Sequence, residues 1–178
     1  MSRPLSHEPP AGHAPLRHMT ATGFLVWDGK VLLHWHRKNR LWLPFGGHIE
    51  PGEDPVQTVL REVEEESGIA AEVITHAPPY PFDEPRQLPP PVTILLERAT
   101  DGQTWHEHID LIYFCRPRHG VTGLALDRDP TLRWVSEVEL VANVPVAPTP
   151  DEPPVPIPLD VRTLALEAIR LARTAAGS

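Results

Sequence analysis

Glu62, Glu65 and Glu66 are spaced so that, on a helix advancing about 100° per residue, their carboxylates share one face. Like charges at helical spacing repel, costing a few tenths of a kcal/mol per pair, so such a cluster needs compensation. A divalent cation supplies it. Oxygen donors of this kind suit Mg²⁺ or Mn²⁺, which bind through a few carboxylates and share their other positions with water and phosphate oxygens. The competing reading is a solvated acidic face, since Glu64 extends the run to four acids within five positions.

The flanking residues predict the helix itself. Asp54 is a suitable N-cap, Pro55 fits the first helical position, and Gly68 can take the left-handed conformation that ends a helix. Val56, Val59, Leu60 and Val63 recur at i, i+3, i+4 and i+7, giving an apolar stripe to bury against a sheet. Ahead of the helix, Gly46-Gly47 lets backbone approach a metal or phosphate closely, and Pro51-Gly52 makes a turn.

The pattern Gly47-x5-Glu53-x7-Arg61-Glu62-Val63-x-Glu65-Glu66-x-Gly68-Ile69 resembles the signature of the Nudix hydrolases, with every defining position filled. The match spans Gly47 to Ile69 directly, and the flanking elements suit that family's fold. The resemblance implies hydrolysis of nucleoside diphosphates linked to another moiety, with Mg²⁺ or Mn²⁺ as cofactor. It implies Glu62, Glu65 and Glu66 as metal ligands, with the Gly46 carbonyl adding an oxygen. Arg61 would pair with Glu53 to hold the loop onto the helix. Glu62 is one candidate general base, although some relatives use an acid outside the signature. Asp127 and Asp129, shortly before Trp134, stand where relatives carry a further acid, usually a glutamate.

The rest of the chain must form the platform. Residues 20–27 and 30–37 are β-rich runs joined by Asp28-Gly29, a hairpin signal. In the second run Val31, Leu33 and Trp35 alternate with Leu32, His34 and His36, predicting a core face and a more polar outward face. Arg37 and Arg40, with Lys38, form the most basic short cluster, suited to substrate phosphates or to a solvated turn. Strands are expected at residues 70–78, 91–99 and 108–117, the first two separated by a proline-rich loop. In that loop Tyr80 and Phe82 are candidates to stack on a base or to anchor the loop. His106 and His108 share one strand face, but no third histidine or cysteine stands at a recognised zinc spacing, so a polar strand edge bordering the cleft is expected. His7, His13 and His18 are irregularly spaced and read as scattered surface residues. A short helix from Ser136 and an amphipathic closing helix from Leu159 to Ala175 complete an α/β/α sandwich with a mixed sheet. Residues 1–18 are expected to be a flexible proline-rich arm and residues 19–178 a single domain.

Length and charge narrow the partners. At 178 residues, with 40% hydrophobic content, the chain suits one core. A formal net charge of −8 disfavours nucleic acid polymers, including an RNA cap, because polyanion affinity is built from Lys and Arg contacts. Cys115 is the single cysteine, so no internal disulfide forms, and no apolar run approaches the ~18 residues of a membrane span. The expectation is a cytoplasmic enzyme acting on a small nucleotide, without membrane contact and with homodimerisation left open. The alternative is a non-catalytic Nudix-like sensor of a nucleotide or metabolite. Such proteins usually lose signature carboxylates, and all are present here.

Overall fold

The computed structural model describes residues 15–101, 104–118, 129–149 and 151–176. In chain order the elements are β1 (Arg17–Trp27), β2 (Lys30–His36), β3 (Leu41–Leu43), β4 (Phe45–His48), α1 (Pro55–Ser67), β5 (Ala71–Val73), β6 (Thr93–Asp101), β7 (Thr104–Pro117), β8 (Leu132–Ser136), α2 (Glu137–Ala142) and α3 (Leu159–Ala176). The strands form one mixed sheet in which β1 runs parallel to β7, from Arg17 opposite Glu107 to Leu25 opposite Cys115. On its other side β1 divides its partners. Thr20 to Gly23 pair with β4, and Leu25 to Trp27 pair with β2. Arg17 and His18 therefore belong to the sheet, inside the stretch expected as an arm.

Alternation along the strands fills two cores. Ala21, Leu25, Leu32, Phe45, Leu111 and Tyr113 face Val59 and Val63 of α1, while Phe24, Leu33, Trp35, Ile112 and Phe114 face the side covered by Leu140 of α2 and Val161, Ala165 and Ile169 of α3. Helices on both faces make the sandwich expected. They also correct the reading of β2, whose second face is not outward: Leu32 is fully buried and His34 partly so. The Asp28-Gly29 turn has positive φ at both residues (48° and 70°), the geometry that matches a two-residue hairpin to strand twist. A third helix, the short α2, is capped by Ser136 and Glu139 in a reciprocal box. No helix among the described residues is long and apolar enough to cross a membrane.

Candidate active site

Helix α1 begins and ends as its sequence dictates. Asp54 Oδ1 accepts the Val56 and Gln57 amides at 2.9 Å, the Asp54 amide donates in return to Gln57 Oε1, and Gly68 closes the helix at φ 72°. Val59 and Val63 are fully buried, which turns the carboxylate face away from the core toward the end of β4. Contact there is close. A Cβ on Gly47 would lie 2.2 Å from Glu62 Oε1, and one on Gly46 would lie 2.5 Å from Thr22 Oγ1 and 2.8 Å from the Ala21 carbonyl.

Arg61 ties the acids together. Its Nε and Nη2 donate to Glu53 at 2.8 and 3.0 Å, a bidentate pair, while Nη1 donates to Glu62 at 2.7 Å and Glu65 at 3.3 Å. Nη2 also reaches the His48 carbonyl at 3.4 Å, so the helix is fixed to the strand end. Thr58 Oγ1 donates to Glu53 at 2.8 Å. The Arg61 bond first, and the Thr58 bond next, lower the Glu53 pKa to about 2. Glu66 moves the opposite way, up to about 7, through burial and the neighbouring Glu62 and Glu65 charges, opposed by a hydrogen bond from the Gly46 amide. A carboxylate so crowded favours a cation. The oxygen-only donor set, with no room for a β-carbon at Gly47, fits Mg²⁺ or Mn²⁺.

Glu66, Gly46 and Gly47 open onto a cleft of about 570 Å³ that passes along the α3 face of the sheet. His34 and His36 line it, contrary to the outward reading of β2. His34 Nδ1 lies 3.7 Å from Glu66 Oε1, but burial lowers the His34 pKa to about 4, so near neutral pH the imidazole carries no charge and this is no ion pair. Sequence reasoning missed the far wall. Asp110, 4% exposed, accepts from Thr20 Oγ1 at 2.9 Å, and Asp160 of α3 and Glu97 of β6 stand at the same cleft. Burial raises the Asp110 pKa, with the Thr22 and Thr20 hydroxyls opposing. The only signal was that Asp110 continues the alternation of His106 and His108.

Other expected residues lie elsewhere. Arg37 and Arg40 are not among the cleft-lining residues, and Arg40 Nη2 stands 3.6 Å from Glu152. Tyr80 and Phe82 also lie off the cleft. Both are exposed and stack on each other with ring centroids 6.1 Å apart, and Gln87 clasps the backbone of both. They do not anchor the loop in the core. Asp129 Oδ1 accepts the Thr131 amide and hydroxyl at 2.8 and 2.6 Å, capping the turn into β8 rather than facing the cleft. Asp127 lies outside the described residues. The strand edge carrying His106 and His108 does border the cleft as expected, with His108 and His48 among its lining residues, and there the two histidines also meet His18 and His48.

The NUDIX domain model matches residues 17–155. The chain belongs to the NUDIX family. Over 56 residues, 32% of this Nudix chain and 34% of the relative, it is 56% identical to the asymmetrical bis(5'-nucleosyl)-tetraphosphatase of Sus scrofa. It is 35% identical over 79 residues to Nudix hydrolase 25 of Arabidopsis thaliana, covering 43% of this chain and 42% of that protein. The Nudix chain thus spans about a third to two fifths of the length of these curated relatives. The crystal structure of a NUDIX-family hydrolase from Clostridium perfringens superimposes with a TM-score of 0.66 at 28% identity, over 88% of this chain and 98% of that one.

Proposed function

We propose that this Nudix protein is a divalent-metal-dependent hydrolase that cleaves a phosphoanhydride bond in a small nucleotide, preferring a nucleoside diphosphate linked to a second moiety. The observation carrying this reading is the convergence of Glu62, Glu65 and Glu66 beside a glycine pair, at one end of a cleft. The similarity of one segment to a tetraphosphatase of dinucleosides supports a substrate with two ends, and the extent of the cleft along α3 offers space for the second.

A bound Mg²⁺ or Mn²⁺ supplies charge neutralisation on the phosphate oxygens and lowers the pKa of a coordinated water. Glu62, Glu65, Glu66 and the Gly46 carbonyl would hold the ion, and Glu62 is also one candidate acceptor of the water's proton. Arg61 keeps Glu62 and Glu65 in place while clamping Glu53, so the loop and the helix present one rigid acidic surface.

The test is product release from a panel of dinucleoside polyphosphates, ADP-ribose, nucleotide sugars, NADH and nucleoside triphosphates, with Mg²⁺ and Mn²⁺, for wild type and Glu66→Gln. One preferred substrate should emerge, with Glu66→Gln slower by about 10²-fold or more, because metal charge stabilisation is worth several kcal/mol. Full turnover by folded Glu66→Gln would overturn the assignment. Tight binding of a panel member without turnover in wild type would identify a sensor.

A further inference from the structure

A second polar cluster lies at the opposite end of β1 from the hairpin, and the fold assembles it from three strands. His106 and His108 occupy alternate positions of β7, so both point to one face. His18 of β1 stands directly opposite His108 in the parallel pairing, and His48 ends β4 opposite Thr20 of β1. One ring nitrogen from each of the four residues lies within 4.8 Å of the other three. His18 Nδ1 is 3.1 Å from His48 Nε2, and His106 Nε2 is 2.9 Å from His108 Nε2.

We propose that His18, His48, His106 and His108 form a four-imidazole site for a zinc-class transition-metal ion, with a ligand set distinct from the carboxylates of α1, although His48 and His108 line the same cleft as Glu66. Zinc–nitrogen bonds of about 2.0–2.1 Å place tetrahedral ligands about 3.3–3.4 Å apart, so the two closest pairs are already near the required edge length. The remaining nitrogen pairs, all within 4.8 Å, must draw in by side-chain rotation when the ion binds. The donor chemistry selects the ion: four borderline-soft nitrogens without an oxygen ligand suit Zn²⁺, Co²⁺, Ni²⁺ or Cu²⁺ and leave Mg²⁺, Mn²⁺ and Ca²⁺ poorly served. Four protein ligands fill a tetrahedral shell, which marks a structural ion and not one that activates water. His48 is exposed and provides the way in.

The consequence concerns position. His48 lies one residue beyond Gly47, and its carbonyl is the one that Arg61 reaches. An ion held here pins the end of β4 to β1 and β7, and with it the backbone against which the glutamates pack. This site is a clamp beside the catalytic machinery.

Chelator-treated protein without a polyhistidine tag is titrated with Co²⁺ in excess Mg²⁺, which saturates the carboxylates. Wild type should take up one equivalent with the intense visible bands of four-coordinate Co²⁺, lost on adding one equivalent of Zn²⁺, and Zn²⁺ should raise its melting temperature. His18→Ala and His106→Ala should each lose the bands and weaken binding by about 100-fold or more, since even outer partners of metal ligands are worth 10–100-fold. Far-UV circular dichroism of the metal-free variants checks their folding, and His48→Ala, at the exposed ligand, replaces any that fails. Absence of uptake by wild type, a weak six-coordinate spectrum, or bands retained in the folded histidine variants would overturn the site.

Discussion

Gly46 and Gly47 both exclude a side chain, but the obstacles differ and so should the phenotypes. At Gly46 a methyl group would run into the Thr22 hydroxyl and also into the Ala21 carbonyl and Thr22 Cα, backbone atoms of the neighbouring strand that cannot swing away. Gly46→Ala should therefore cost about 1–3 kcal/mol of stability, as overpacking of a dense site does, measured by urea denaturation. At Gly47 the obstacle is the tip of the Glu62 side chain. Gly47→Ala should leave the urea midpoint nearly unchanged and lower kcat, because Glu62 must leave the position that Arg61 gives it. At this scale the acids of α1 were legible in the sequence, since one helix's period places Glu62, Glu65 and Glu66 without reference to the rest of the chain. Asp110 and the four histidines were not. Their meeting depends on sheet register between residues 18, 48 and 108, which no local spacing encodes.

Among elements, α1 carries the signature acids but the sheet sets its height. Gly23 of β1 is the contact: a Cβ there would lie 2.7 Å from Val59 Cγ2 and 2.8 Å from Val63 Cγ2. Gly23→Ala should lift the helix, lowering stability by about 1–3 kcal/mol and reducing kcat as well, although the residue touches none of the carboxylates. Parallel denaturation and turnover measurements check both effects, and unchanged kcat would mean that the helix yields by side-chain rotation alone. The caps of α1, its apolar stripe, the Asp28-Gly29 hairpin and the closing helix follow from local signals. The faces of β2 did not. Alternation there suggests one wet face, whereas the cover supplied by α1 comes from residues far along the chain, and His34 and His36 become cleft wall. Likewise Arg37 and Arg40 form a basic cluster in sequence, while the fold sends Arg40 toward Glu152.

For the whole molecule, Asp110 links the cleft to global stability. Its carboxyl is buried and its pKa is raised above the usual 3.8, so above that pH the folded protein retains a proton that the unfolded chain releases. Its contribution is fully present below 3.8 and is lost as pH rises through the raised folded value. Urea midpoints measured from about pH 3 to about pH 7 should fall less steeply in Asp110→Asn, which keeps an acceptor for the Thr20 hydroxyl, than in metal-free wild type, because Glu66 and Glu97, both raised to about 7, contribute a decline to each protein. An identical pH profile for the two proteins would show that Asp110 is solvated in solution.

The parallel pairing of β1 with β7 also has a temporal side. Arg17 and Glu107 are 90 positions apart, so a ribosome adding 5–20 residues per second makes β1 wait roughly 5 to 18 seconds for its partner. During that interval the β1–β2 hairpin and the capped α1 can form, but half the platform beneath the helix is still unsynthesised. The nascent chain carries its acidic helix, with an apolar stripe uncovered, before the strand that completes the bed exists. On the ribosome this sheet should close only after β7 has emerged, and chaperone demand should concentrate on chains that have passed α1 and not yet emerged through Pro117.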